Sequence, residues 1–228
     1  MTTQRIAIIA PNWIGDVIMA QSLLMTLKKQ QACKLSVYAP KAFGSIVKRM
    51  PEVACYTPTE FPRGKLHLKG RRALGHSMAN QYDQCIILPN SFKSALPAYW
   101  AKIPQRTGWV GELRYPLLND ARKLTPKTLP TMVQRFVALA YPKNHALKFA
   151  DCPKPKLEAY TDNINEKLAD KKITANDDRP IIAFCPGAAY GPAKRWPEQH
   201  YASLAEQCLK QGYAVWIFGG PQEQPLAA

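Results

Sequence analysis

One carboxylate, Asp16, stands where a strand pattern gives way to a helix pattern, and it is the first candidate for chemistry. The apolar run Ile6–Ala10 predicts a strand, Gly15 allows a tight turn, and apolar residues then recur at helical spacing. The apolar face of that helix is formed by Val17, Ala20, Leu24 and Leu27. In an open parallel sheet, such turns lie at the carboxyl ends of the strands, where ligands bind. Asp16 is therefore a candidate general base.

The same position also suits a structural role for Asp16. Asp is a preferred helix N-cap, and such a cap contributes roughly 1 kcal/mol. A helix N-terminus favours the ionised carboxylate, so we expect the pKa of Asp16 to be held low in either role. The stretch lacks G-x-G-x-x-G spacing and does not predict a dinucleotide site.

A basic stretch supplies the first candidate anion ligands. No acidic residue occurs from Phe61 to Tyr82, and the arginine pair Arg71 and Arg72 lies within this range. Arginine recognises phosphate and carboxylate through two parallel hydrogen bonds. The alternative is a solvated surface, which is what most charge runs are. We expect a loop in the first half of the stretch and a helix over Leu74–Gln81.

Two further segments could contact an anion or a sugar hydroxyl. The small polar residues Asn90, Ser91 and Ser94 and the cation Lys93 follow the buried-type strand Cys85–Leu88 at the start of the next helix, where plain helix capping is the alternative role. Arg114 lies in the loop Gly111–Arg122, and we expect its side chain to be exposed.

A second strand–loop–helix pattern begins near residue 181. The strand Ile181–Cys185 is followed by the glycine- and proline-rich loop Pro186–Pro197, which carries Lys194, and then by a helix that Gly212 closes. A cation in such a loop before a helix N-terminus favours a phosphate site over a solvated lysine.

Composition limits the classes of protein to consider. The formal net charge is +15, from 31 basic and 16 acidic residues, which implies a polyanionic partner such as nucleic acid, an anionic membrane surface or a phosphorylated substrate. No apolar run reaches the roughly 20 residues of a membrane helix, and no signal peptide is recognisable, so we expect a cytoplasmic protein. The six cysteines form no C-x-x-C pair and no zinc spacing, so no metal site is predicted.

The elements that must position these residues alternate between strand and helix. Further strands are predicted at Lys34–Ala39, Val53–Tyr56, Arg106–Trp109 and Ala214–Phe218, and further helices at Ala42–Met50, Thr131–Tyr141 and near Asn163–Asp170. This alternation predicts an α/β fold with doubly wound parallel sheets. We expect one domain over residues 1–155, a linker over 156–179 and part of a second domain over 180–228.

Four motifs in order resemble a known family. They are NWIGDVIMAQSL at 12–23, LPNSFKSAL at 88–96, RTGWVGELRY at 106–115 and CPGAAYGPAKRWP at 185–197. They are similar to the bacterial ADP-heptose:lipopolysaccharide heptosyltransferase II family, from near residue 5 to near residue 220. The resemblance implies the GT-B architecture, with a complete N-terminal Rossmann-like domain for the acceptor and the beginning of a second Rossmann-like domain for the nucleotide sugar.

The resemblance also implies an activity. Such enzymes are inverting, metal-independent glycosyltransferases that move L-glycero-D-manno-heptose from ADP-heptose, the donor substrate, to the first heptose of the lipopolysaccharide inner core. No cofactor is expected, and the partners would be that acceptor and, through peripheral contact, the anionic inner membrane.

Residue roles follow from the matching positions. Asp16 would be the general base, Lys194 would contact the donor diphosphate, and the backbone of Gly187, Ala188 and Ala189 would lie near the same phosphates. The candidate ligands of the acceptor's phosphates and carboxylates are Arg71, Arg72, Asn90, Lys93 and Arg114.

The chain departs from the family in length. Family members continue for about half as much chain again, and their later D-S/G-L-M-H motif is absent here, so we expect a truncated chain. The alternatives are an inactive fragment of such an enzyme and a basic nucleic-acid-binding protein. The second is disfavoured because no binding motif is recognisable and no aromatic residues are interleaved with the basic residues of the stretch 63–72.

Overall fold

The protein divides into two compact units, residues 1–159 and residues 160–228. A computed structural model describes residues 3–61, 64–159, 168, 178–188 and 192–220. The predicted linker over 156–179 falls mostly outside the described residues, as does the helix predicted near Asn163–Asp170, and the predicted domain boundaries stay predictions.

The N-terminal unit is built on a parallel sheet of six strands. The strands are β1 (Gln4–Ile9), β2 (Cys33–Pro40), β3 (Val53–Thr59), β4 (Gln84–Ile87), β5 (Gln105–Trp109) and β6 (Asp120–Arg122). Their order across the sheet is β3-β2-β1-β4-β5-β6, and every neighbouring pair is parallel. This is the strand order of a Rossmann-like sheet, so the α/β prediction is confirmed. The sequence analysis missed the three-residue β6.

Helices cover both faces of this sheet. They are α1 (Ile14–Gln30), α2 (Gly44–Val47), α3 (Leu68–Met78), α4 (Phe92–Trp100) and α5 (Met132–Val137). The central strand β1 shows why two layers form: Ile6 and Ile8 belong to the hydrophobic cluster that contains α1 and α5, whereas Ala7 belongs to the cluster that contains α3 and α4. Alternate side chains of one strand thus enter opposite cores, which is required of a sheet buried on both faces.

Two helix predictions need correction. The segment predicted as one helix over Ala42–Met50 is a 3₁₀ turn, Lys41–Phe43, followed by the single turn α2. Helix α3 begins at Leu68 rather than Leu74. Glycine makes the start of α3 a poor helix by propensity, but the Arg71 side chain bonds the Leu66 carbonyl and the Lys93 carbonyl, and these tertiary contacts hold it.

The C-terminal unit, by itself, contains a strand–helix–strand motif in its described residues. β7 (Ile181–Phe184) pairs in parallel with β8 (Ala214–Ile217), and α6 (Glu198–Lys210) connects them. Gly212 follows α6 with φ +84°, a conformation that suits glycine at a helix end, as predicted. In the described part of the chain, no helix is both long and apolar enough to cross a membrane.

A buried glutamine holds the returning segment 153–158 against α1. Gln21 is fully buried, and its amide oxygen accepts from the Lys156 backbone N–H at 2.9 Å while its amide nitrogen donates to the Lys156 carbonyl at 2.8 Å. The same nitrogen lies 3.1 Å from a carboxylate oxygen of Glu52. The Gln21 side-chain amide thus bonds both the backbone N–H and the carbonyl of Lys156, as a residue of a neighbouring strand would.

We expect Gln21→Ala to lower the free energy of unfolding by about 1–3 kcal/mol, because it strips the partners from two backbone groups. Urea unfolding at pH 7 measures this change. The matched control is Gln81→Ala, which removes one exposed bond to the Ser77 carbonyl and should cost less than about 0.5 kcal/mol. Equal losses in the two variants would contradict the role given to Gln21.

Candidate functional site

A cavity of about 450 Å³ opens at the carboxyl edge of the N-terminal sheet. Among the residues that line it are Asn12 and Trp13, which follow β1, and Ser91 and Lys93, which follow β4. β1 and β4 are neighbours in the sheet, yet α1 packs on one face and α4 on the other. The two connections therefore diverge, and a crevice between them is the expected ligand position in such a sheet.

Asp16 lies in the first turn of α1 but does not cap it, so the N-cap prediction is wrong. The helix begins at Ile14, and Trp13 occupies the N-cap position without a side-chain cap bond. Asp16 is three residues after the cavity-lining Trp13, and residues three apart are neighbours on a helix surface. Asp16 itself is not among the lining residues of the cavity.

The carboxylate of Asp16 is half-buried and, within the described part of the chain, has no hydrogen bond or ion pair. Burial raises its pKa above the ordinary value, which is the opposite of the low pKa predicted from the helix N-terminus. Within the described residues no hydrogen-bond donor stabilises the charged carboxylate, so desolvation determines that the pKa rises. A raised pKa makes Asp16 a stronger base than an exposed aspartate.

Arg71 is the predicted anion ligand that the structure places in the cavity wall. Its side chain is 7% exposed, and its guanidinium lies 4.1 Å from the ring centre of Phe61. Nε donates to the Leu66 carbonyl at 2.9 Å and Nη1 to the Lys93 carbonyl at 3.1 Å. Among the described residues Nη2 has no partner, and burial lowers the pKa of Arg71 because no carboxylate compensates its charge. A fixed arginine of this kind is prepared for an oxyanion.

The other predicted acceptor ligands are distributed unevenly. Lys93 lines the cavity, is half-buried, and donates from Nζ to the Lys65 carbonyl at 3.3 Å. Arg72 and Asn90 are exposed and do not line the cavity. The backbone of Asn90 instead lies against Gly111, where an added Cβ would come within 2.7 Å of the Asn90 oxygen. Their roles as acceptor ligands stay predictions.

Arg114 is fully buried, so the expectation that its side chain is exposed is wrong. Nε donates to the Trp109 carbonyl at 2.8 Å, and Nη1 donates to the Pro89 carbonyl and, at 3.0 Å, to Ser94 Oγ. Burial lowers the pKa of Arg114 to about 10, which still leaves it charged at neutral pH. Its guanidinium bonds only to groups of the protein itself within the described residues. Any effect of Arg114 on a ligand would therefore be indirect, through the position of residues 89–94.

Sequence reasoning missed two residues of the cavity wall. Asn12 and Trp13 line it, and Trp13 is 47% exposed. A large exposed aromatic residue directly after a buried strand could have been recognised as a sugar-facing platform, because such residues are otherwise usually buried. Ser91 and Ser94, which the sequence analysis weighed between a ligand-facing role and plain helix capping, also line the cavity.

The predicted donor residues lie in the C-terminal unit between β7 and α6. Gly187 and Ala188 follow β7 and are half-buried, and Lys194 is exposed at the end of the 3₁₀ turn Pro192–Lys194, before α6. Ala189 lies outside the described residues. A separate cavity of about 340 Å³ is lined here by Pro186, Arg195 and Trp196, among others. In the described part of the chain no cluster of His, Cys, Asp or Glu side chains is arranged to hold a metal ion.

Comparison with known proteins identifies the family. The model of glycosyltransferase family 9 (heptosyltransferase) matches residues 71–228 of the chain. The chain belongs to glycosyltransferase family 9. That match covers α3 from Arg71 onward, the turn after β4, and the loop of Lys194.

Curated relatives extend the match to the cavity residues before position 71. The chain is 45% identical over 223 residues to lipopolysaccharide heptosyltransferase 2 of Salmonella typhimurium, covering 96% of this chain and 64% of that protein. It is 46% identical over 227 residues to lipooligosaccharide heptosyltransferase 2 of Haemophilus influenzae, covering 97% and 65% of the two chains. The chain thus spans about two thirds of the length of these relatives.

A solved structure supports the fold. The E. coli ADP-heptose lps heptosyltransferase II superposes with a TM-score of 0.87 at 41% identity, covering 97% of this chain and 66% of that one. The predicted GT-B class is confirmed by this match.

We expect Arg71→Lys to weaken the binding of inorganic phosphate to the cavity by about tenfold or more, because a charge-assisted hydrogen bond from the fixed guanidinium is lost. An NMR titration with phosphate measures the affinity. Arg72→Lys is the matched control, since Arg72 is adjacent, exposed and outside the cavity wall. An unchanged affinity in Arg71→Lys, or an equal loss in Arg72→Lys, would remove Arg71 from the site.

Proposed function

We propose that this chain carries out heptosyl transfer, moving L-glycero-D-manno-heptose from ADP-heptose to the first heptose of the lipopolysaccharide inner core. The observation that carries the proposal is the 45% identity to lipopolysaccharide heptosyltransferase 2, which extends through the cavity residues and the loop of Lys194. We assign the acceptor to residues 1–155 and the nucleotide sugar to residues 180–228, joined by 156–179.

The acceptor would bind at the crevice between the β1 and β4 connections. The inner core carries phosphate and carboxylate groups, and the cavity wall supplies Arg71 and Lys93 against them. Trp13 offers an apolar ring face to a sugar. Arg72, Asn90 and Arg114 complete the proposed set, with Arg114 acting through the segment that it holds.

Asp16 would remove the proton from the acceptor hydroxyl as its oxygen attacks the anomeric carbon. The new glycosidic bond forms while the bond to the ADP oxygen breaks, so the anomeric centre inverts through an oxocarbenium-like state. A positioned base of this kind is typically worth about 10²–10⁴-fold in rate. The pKa of Asp16, raised by burial, makes it better suited to that task than an ordinary exposed aspartate.

The leaving ADP gains negative charge as the bond breaks. Lys194 would offset that charge, and the backbone of Gly187, Ala188 and Ala189 would lie near the phosphates, as at other strand–helix connections that bind phosphate. The reaction would then need neither a catalytic metal nor a cofactor, and transfer that persists in excess EDTA is the expected result.

The place of action would be the cytoplasmic side of the inner membrane. The formal net charge of +15 favours peripheral contact with an anionic leaflet, where each basic residue near the surface contributes about 1 kcal/mol. We propose no nucleic-acid partner.

The proposal is tested by transfer to a de-acylated inner-core oligosaccharide that ends in one heptose, with ADP release as the readout. Asp16→Asn should lower turnover by about 10²–10⁴-fold, while the free energy of unfolding changes by less than about 0.5 kcal/mol because Asp16 makes no cap bond. In the wild type, activity should fall with acid at a higher pH than for an ordinary aspartate, since protonation removes the base and burial raises this pKa. Absence of transfer by the wild-type chain would refute the proposed activity, and near-normal turnover in Asp16→Asn would refute the base alone.

We expect Lys194→Ala to lower the rate of transfer by about 10²–10³-fold, the usual cost of losing one preorganised contact to developing charge. Lys210→Ala is the matched control, because Lys210 is an exposed lysine in the last turn of α6 in the same unit. Binding of ADP measured by calorimetry should weaken in the first variant only. Unchanged ADP binding and unchanged transfer in Lys194→Ala would contradict its role.

A further inference from the structure

The loop between β5 and β6 is hydrogen-bonded to segment 89–94, the turn after β4. Part of that segment lines the cavity. We propose that Glu112 and Arg114 are positioning residues that set the acceptor affinity by fixing segment 89–94. This inference rests on the proposed function, because it names what controls the same acceptor site.

Arg114 makes the first group of these hydrogen bonds. Its buried guanidinium joins the end of β5, at the Trp109 carbonyl, to the Pro89 carbonyl, the Ser91 carbonyl at 3.4 Å and Ser94 Oγ at 3.0 Å. Segment 89–94 thus receives three of its hydrogen bonds from one planar cation. The fixed fork of arginine can satisfy several acceptors at once, and lysine cannot reproduce that geometry.

Glu112 accepts the other of these hydrogen bonds. Ser91, at the N-cap of α4, makes no side-chain cap bond, and the carboxylate of Glu112 instead accepts from the Phe92 backbone N–H at 2.9 Å. A carboxylate at this end also complements the helix dipole. The N-terminus of α4 is therefore capped from another loop, 20 residues away in sequence.

The loop adopts an unfavourable backbone to make these contacts. Glu112 and Leu113 have φ angles of 44° and 55°, in the left-handed region that non-glycine residues avoid. Leu113 is 86% exposed, so burial of its side chain does not offset the strain. Strain of this kind persists only where surrounding contacts determine it, and here those contacts are the bonds of Glu112 and Arg114.

Glycines allow the close approach of the two segments. A Cβ on Gly108 would lie 3.0 Å from Arg114 Nη2, and one on Gly111 would lie 2.7 Å from the Asn90 oxygen. The motif GWVGELR at residues 108–114 therefore contains the glycines that allow close packing, the strained turn, and both side chains that bond to segment 89–94.

Segment 89–94 contributes polar residues to the cavity wall. Ser91, Lys93 and Ser94 line it, and the Lys93 carbonyl accepts from Arg71 Nη1. A continuous chain of contacts thus runs from buried Arg114 through segment 89–94 to Arg71, the fixed cation of the cavity wall. Loosening Arg114 should therefore misplace groups that it never touches.

The test compares Arg114→Lys with Arg106→Lys. Arg106 lies near the start of β5 and also donates to two carbonyls, those of Leu117 at 2.9 Å and Ile103 at 2.7 Å, but neither carbonyl belongs to segment 89–94. Both variants should unfold at a lower temperature. Only Arg114→Lys should weaken binding of the de-acylated inner-core oligosaccharide, by about tenfold or more, and speed amide exchange at residues 92–95.

Glu112 gives an independent readout through rescue. Glu112→Ala should weaken oligosaccharide binding and expose the Phe92 amide to exchange, whereas Glu112→Gln keeps an acceptor oxygen and should remain close to wild type. If Arg114→Lys binds the oligosaccharide as tightly as wild type, or if Arg106→Lys loses as much affinity, the positioning role is refuted. If the wild-type chain itself does not bind the oligosaccharide, the proposed function fails, and this inference fails with it.

Discussion

The parallel pairing of β1 with β4 is the constraint from which the rest of the N-terminal unit follows. The two strands are hydrogen-bonded neighbours, but the chain leaves β1 for one face of the sheet and β4 for the other. Because the two connections cannot cover the same edge, a crevice must remain between them. Asn90 and Lys93 lie on the connection after β4, Arg114 donates to that connection, and Arg71 donates to the Lys93 carbonyl.

Two buried cations of this unit, Arg71 and Arg114, donate to neutral oxygens rather than to carboxylates. Arg71 donates to two backbone carbonyls, and Arg114 donates to backbone carbonyls and to the Ser94 hydroxyl. Arg122 provides the contrast, since it pairs with Asp120 at 2.7 Å. Carbonyl dipoles hold a guanidinium in place without cancelling its charge, so the positive potential remains available to an anion. An ion pair as in Arg122 would have anchored the side chain and neutralised it.

Asp16 differs from these arginines because its charged form is not stabilised by hydrogen bonds within the described residues. Its carboxylate is partly desolvated and has no hydrogen-bond donor within the described residues, so its pKa rises. A capping aspartate would have been held in its charged form by backbone N–H groups and would have been a weaker base. Because Trp13 takes the N-cap position, Asp16 is released from that structural role while staying in the first turn of α1, close to the cavity.

Local patterns in the sequence determined the α/β class, five of the six strands of the large sheet, the start of the β7–α6–β8 motif and the positions of Asp16 and Lys93 at the starts of the helices that follow β1 and β4. Alternating apolar runs and helical spacing are properties of neighbouring residues, so they can be read from the chain alone. Tertiary structure alone decided that Arg114 is buried, that α3 starts at Leu68, that Gln21 acts as a strand partner and that Glu112 caps α4. Each of these depends on a partner at least five residues away and in most cases more than 15 residues away. No spacing rule encodes such a contact, because the free energy of burying or pairing a polar group is set by whatever the fold brings beside it.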